Sequence, residues 1–177
     1  MSVRGVLSWL ACRLPEPRVI RDRDGLSPYL SRWYLLGRRL GERGGESTVG
    51  LPFNLFLHRF HRSDNAGELH SHPWAWSVSL ILTGGYSEER RQADDSVTRR
   101  VVLPGSINVI RANDYHRVDL LQRDCWTVFL VGPKVDTWFF WDRKLRRRCN
   151  WRGFVGLQPL EWESDRRLPD EALRGTR

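Results

Sequence analysis

An all-β sandwich or barrel is the fold class the sequence predicts, and three observations predict it. Short runs of branched and aromatic residues, some eight of them, recur at roughly 8–12-residue spacing from Leu51 onward. Turn formers separate them, as in "SDNAGE", "LTGGY" and "PGS". Hydrophobic residues make up 40% of the 177, with nine tryptophans, which suits one folded domain with a real core.

The elements follow in order. Residues 1–26 read as an N-terminal arm with a short helix ahead of Pro15 and Pro17. "SPYLSRWYLLG", from Ser27, has a serine cap, an early proline and a glycine stop. Its periodicity fits a two-turn helix or a strand, and the choice stays open. "GERGGESTVG" is a glycine-rich loop. "FNLFLHRFHR" reads as a strand carrying Asn54, Phe56, His58 and Phe60 on one face. "LHSHPWAWSVSLILTGGY" gives two strands broken near Pro73, and "SEERRQADDS" a polar hairpin tip. "VTRRVVL", "INVIRAND", "YHRVDLL", "CWTVFLVGPK" and "VDTWFFWD" supply the remaining strands. The main domain is drawn at 27–155, with 156–177 as a charged C-terminal extension.

Several function classes are set aside on composition. No apolar run reaches the roughly 18–20 residues of a membrane span. "VLSWLA" is too short for a signal-peptide core, so a cytoplasmic location is expected. Cys12, Cys125 and Cys149 are odd in number and show no CxxC spacing, which argues against a disulfide framework or a thiolate zinc site. The formal charge is +8, densest at "RKLRRR" (Arg143 to Arg148). No helix-turn-helix, zinc-finger or RNP-type pattern accompanies it, so a solvated loop is expected there rather than a nucleic-acid site.

The chemistry concentrates in "ELHSHPWAW". In a strand, His70 and His72 project to the same face and can share one metal ion. A third imidazole is available from His116, after the turn-forming "AND". Three neutral imidazoles cap one side of a metal and leave positions open for substrate or O₂. Trp74 and Trp76 share the parity of the pair if Pro73 does not break the strand, and would then line the pocket with an aromatic wall. His58 lies on an inward strand face and joins that lining, while His58 and His61 read as structural histidines rather than ligands. Tyr86 and Glu88 are the candidate catalytic side chains; Tyr115 and Arg117, flanking His116, point the other way.

These residues carry a resemblance. "HSHPW", "GGY" and "YHRV" resemble the cupin superfamily, double-stranded β-helix or jelly-roll barrels, and more narrowly a group of bacterial and phage-borne cupin-like proteins. It covers roughly 27–155 and ends in "W-R-G-F". Arg111 and Asn113 stand where the second cupin motif usually has proline and glycine. The glutamate usual in the first motif would fall near Trp76 or Ser77, and neither is a carboxylate.

The resemblance therefore implies a three-histidine site of His70, His72 and His116, as in thiol dioxygenases, with Glu68 and Glu88 as candidate fourth ligands. It implies one divalent ion, Fe(II) first and Zn or Ni next, and oxygenase or dioxygenase chemistry on a small polar or thiol substrate. The rival reading is a non-enzymatic cupin module that senses a metal or small ligand. A homodimer is left open. Cys125 reads as a buried, inert thiol rather than a partner in a tyrosine crosslink.

Overall fold

A computed structural model describes residues 2–22, 25–37, 52–64 and 69–150. Glu68, the "GERGGESTVG" loop, "W-R-G-F" and the proposed extension 156–177 lie outside the described residues.

The described strands form two six-stranded antiparallel sheets. The first runs β1 (Arg18–Arg21), β2 (Pro28–Leu36), β3 (Asn54–Phe60), β10 (Cys125–Val131), β5 (Trp76–Thr83) and β8 (Ile107–Arg111). The second runs β12 (Arg147–Asn150), β11 (Phe139–Asp142), β4 (Leu69–His70), β9 (His116–Leu120), β6 (Tyr86–Arg91) and β7 (Val97–Val102). Within them β3-β10-β5-β8 faces β4-β9-β6-β7, the double Greek key of an eight-stranded jelly roll. β1 and β2 widen the first sheet beside β3, and β11 and β12 widen the second beside β4.

Burial settles what periodicity left open at 28–36. Trp33 packs outward beneath the N-terminal helix, while Tyr34 turns inward to meet Phe56 edge-on at 5.0 Å. Apolar residues on two opposite faces suit a strand covered on both sides, and β2 pairs with both β1 and β3. The arm is also more ordered than the sequence suggests. Helix α1 (Val3–Ala11) starts at Ser2, whose hydroxyl accepts from the Gly5 N–H at 3.2 Å. Its Leu7 and Ala11 sit with Leu14 on Trp33, Leu57 and Trp126, and Trp33 and Trp126 stack at 5.5 Å. α1 therefore covers the outer face of the first sheet. It is not long and apolar enough to cross a membrane, nor is any other described helix.

Two expectations are corrected. "SEERR" is not a hairpin tip: Ser87 to Arg91 continue β6, which pairs with β7 and β9, and the turn begins at Gln92. The basic run is solvated as expected, but it is not all loop, since Arg147 and Arg148 belong to a strand. It turns from β11 into β12, with Arg143 on Glu89 at 2.9 Å, Arg146 on Asp95 at 2.8 Å and Arg148 3.9 Å from Asp136.

Candidate metal centre

Sheet pairing explains how distant histidines meet. β4 and β9 are neighbours with His70 directly opposite His116, so both side chains leave the same face. That face looks between the sheets. His72 follows past the end of β4, where the Ser71 N–H bonds the Phe139 carbonyl at 2.8 Å and buried Pro73 ends the pairing. Ring centroids are 5.3 Å apart for His70 and His72, and 5.0 Å for each of them with His116. One nitrogen from each ring lies within 4.8 Å of the others, and no carboxylate joins this group among the described residues.

His72 Nε2 and His116 Nε2 approach to 2.8 Å. Two nitrogens bound at right angles to one ion, each about 2.0–2.1 Å from it, stand about 3 Å apart, so the residues fit a metal. Burial, above all, lowers the His70 imidazole to about 4; Asp64 opposes this and His116 adds to it. His72 is held well below its ordinary value by burial, then by His116, His70, Arg32 and His58. At neutral pH both are uncharged and can offer lone pairs without first losing a proton.

Behind the rings stand carboxylates. Glu88, 0% exposed, accepts from His116 Nδ1 at 2.8 Å. It therefore lies behind His116 rather than beside it as a fourth ligand. It also accepts from Asn108 Nδ2 at 2.9 Å, Arg90 at 3.0 Å and Arg100 at 2.7 Å. Burial works to raise this carboxyl, but the hydrogen bonds from His116 and Asn108 and the Arg90 charge outweigh it and hold it well below the carboxylate range. Asp64 Oδ2 stands 3.7 Å from His70 Nδ1, held by the Val118 N–H at 2.7 Å, and its other oxygen accepts from the Tyr29 hydroxyl.

The facing wall comes from the first sheet. Buried His58 stacks on Phe129 at 4.9 Å and on Phe56 at 5.6 Å, and its Nε2 accepts from Arg32 Nε at 2.9 Å. Burial and then the Arg32 charge hold it well below its ordinary value. Trp74 stacks on His72 at 5.9 Å and meets Phe129 at the same separation, so it does line the pocket.

Trp76 does not. The chain bends at Ala75, parity is reset between Trp74 and Trp76, and Trp76 is 38% exposed with its indole over Gly132. Ser77 takes the inward place, fully buried, its hydroxyl donating to the Ile110 carbonyl at 3.3 Å. Tyr86 has its ring among Ile81, Val102, Val118 and Cys125, while its hydroxyl accepts from Asn108 at 2.9 Å. It reaches His116 through Asn108 and Glu88. Burial raises the Tyr86 phenol further and the Cys125 thiol to about 11, so both stay protonated. Tyr115 turns to the other face, against Trp141 at 5.4 Å.

The sequence reading missed Asp64, Asn108 and Arg32. Asp64 looked like a turn residue, and a single Asn or Arg in a strand carries no spacing signal. Two sequence features could have found Asp64 and Arg32: an aspartate six residues before the His-x-His pair, and an arginine amid the aromatic residues of "YLSRWY".

No family model and no curated protein matches the sequence. Solved structures do resemble the fold. A cupin-2 domain protein, Rru_A2000 from Rhodospirillum rubrum, has a TM-score of 0.49 at 14% identity, covering 70% of this chain and 72% of that one. Recombinant oxalate oxidase in complex with glycolate gives 0.46 at 16%, covering 64% and 56%. KdgF from Halomonas gives 0.44 at 16%, covering 62% and 85%. The matched part is little more than half the length of oxalate oxidase. These likenesses concern shape; the chemistry has to come from the residues themselves.

Proposed function

We propose that this jelly roll is a metal-binding cupin holding one divalent ion, Fe(II), on His70, His72 and His116, and that it is an oxygenase or dioxygenase for a small polar or thiol substrate. One observation carries the reading: three imidazoles, that of His116 buried and those of His70 and His72 half-buried, converge, and the Nδ1 of His116 is committed to Glu88, which turns its Nε2 toward His72. Bound iron would supply positions where substrate and O₂ can meet.

The chain's own residues would then do the rest. Glu88 holds the His116 ring in place, and Asp64 stands near His70 without a hydrogen bond to it. Trp74, Phe129 and Phe56 exclude water from the facing wall. Arg32, bonded to His58 and 4.7 Å over Phe56, holds the His58 ring against that wall.

Elemental analysis tests the metal. Purified protein should retain about one divalent ion per chain, and the double variant His70→Ala/His72→Ala should retain almost none. Equal metal in both would sink the assignment. Oxygen uptake by the iron-loaded protein with small thiols tests the reaction. Metal retained without uptake would move the reading to a non-enzymatic sensor.

A further inference from the structure

We infer that Glu88 is a positioning residue whose carboxylate selects the Nε2 nitrogen of His116 as the one offered to the metal. The inference rests on the metal reading above and adds the device that orients one ligand.

Topology places Glu88 for this task. Tyr86, Glu88 and Arg90 alternate onto the inward face of β6, beside His116 and Val118 of β9. An ionised carboxylate only accepts hydrogen bonds, so His116 Nδ1 carries a proton, and in the neutral ring Nε2 is then the nitrogen left with a lone pair. His72 Nδ1, by contrast, is buried with no hydrogen-bond partner among the described residues, so nothing comparable directs that ring.

Glu88 itself cannot swing. Arg90 and Asn108 hold Oε1, and Arg100 holds Oε2. Asn108, also fully buried, is pinned in turn: its amide donates to Glu88 and Tyr86, and its oxygen accepts from Arg90 at 2.9 Å and from Arg100. With two arginines against it, Glu88 has little net charge to lend the metal. Its contribution is direction and tautomer.

The residue that would have contributed charge is absent, because the inward position that follows the His-x-His pair is Ser77. A cupin-like ligand set without its carboxylate depends more heavily on how its imidazoles are aimed. Glu88 supplies that aim.

Long-range ¹H–¹⁵N NMR of the metal-free protein reads the tautomer directly, and cobalt(II) titration followed by visible absorption reads affinity and ligand field. In the unmodified chain His116 should be the Nδ1–H tautomer. In Glu88→Gln, whose amide can donate as well as accept, both tautomers should appear, cobalt affinity should fall about 10–100-fold, and the absorption bands should shift.

Glu88→Asp keeps the charge opposite Arg90 and Arg100 but withdraws the carboxylate from His116. It should weaken cobalt binding similarly, and it carries the test if Glu88→Gln does not fold. An Nε2–H tautomer in the unmodified chain, or folded variants binding cobalt as it does with unchanged bands, would overturn the inference. Failure of the unmodified chain to bind cobalt would instead overturn the metal reading, while the tautomer measurement would still judge Glu88.

Discussion

His58 and His116 are both buried imidazoles inside one barrel, on facing sheets, yet their surroundings prepare them for opposite uses. His116 meets a carboxylate at Nδ1, which aims Nε2 at another histidine. His58 meets a guanidinium at Nε2 and two phenyl faces, so its lone pair is already occupied by Arg32. Residue type is identical; the partner on one nitrogen decides what the other can do. The second-sheet wall brings three imidazoles together, and the first-sheet wall opposes them with aromatic faces and an arginine-bonded histidine.

The sharpest way to break this contrast is to truncate both residues. His116→Ala should reduce metal affinity by at least about 100-fold, since it removes a ligand outright, as measured by competition titration. His58→Ala should leave affinity within about threefold and cost about 2–4 kcal/mol of stability through the cavity and the lost Arg32 bond. Equal loss of metal in the two variants would erase the distinction.

Acidification should sharpen it next, in the metal-free chain. His70 takes up its proton near 4 when folded and near 6.5 when unfolded. Between those values the unfolded chain binds more protons, so stability falls as pH drops from about 6.5 to about 4. His70 alone accounts for on the order of 3 kcal/mol. His72 and His58, also held low, lose stability in the same direction, and Glu88 adds to the loss at lower pH still. Urea midpoints that stay flat from pH 7 to pH 4.5 would contradict the neutral burial of these rings.

A smaller effect separates the two neighbours after the broken strand. Ser77→Glu places a carboxylate inward and should change metal affinity; Trp76→Glu places one at the surface and should not. Isothermal titration of both variants decides it, and a change in Trp76→Glu alone would reverse the parity described for β5.

The smallest effect is expected at the basic hairpin. Its arginines are ion-paired and largely exposed, so changing Arg143, Arg146 and Arg148 to Gln should alter stability by no more than about 1 kcal/mol in all. Weak nucleic-acid binding at low salt should vanish near physiological ionic strength. A tight complex persisting there, by fluorescence anisotropy, would promote this hairpin to a binding site.

Much of this was legible in the chain because strands announce themselves locally. Alternation in "FNLFLHRF" placed Phe56 and His58 on one face, and Gly84-Gly85, with φ of 84° and 83°, ended β5 where the sequence put the turn. The His-x-His spacing flagged His70 and His72, and "YHRV" flagged His116. Parity held through Trp74 and failed at Trp76, because the extrapolation assumes a continuous strand and the chain bends at Ala75 before β5 begins.

What the sequence determined by itself, then, is the set of short strands, their turns and the three histidines, since these depend on residues near one another along the chain. Only the tertiary structure decided that β4 pairs with β9, that Glu88 stands behind His116 and not beside it, and that Arg32 and Asp64 belong to the site at all. Apart from Asp64 and His70, which a turn brings together, those relations join residues more than twenty positions apart, and the Greek-key crossing sets them through backbone hydrogen bonds that carry no side-chain signature.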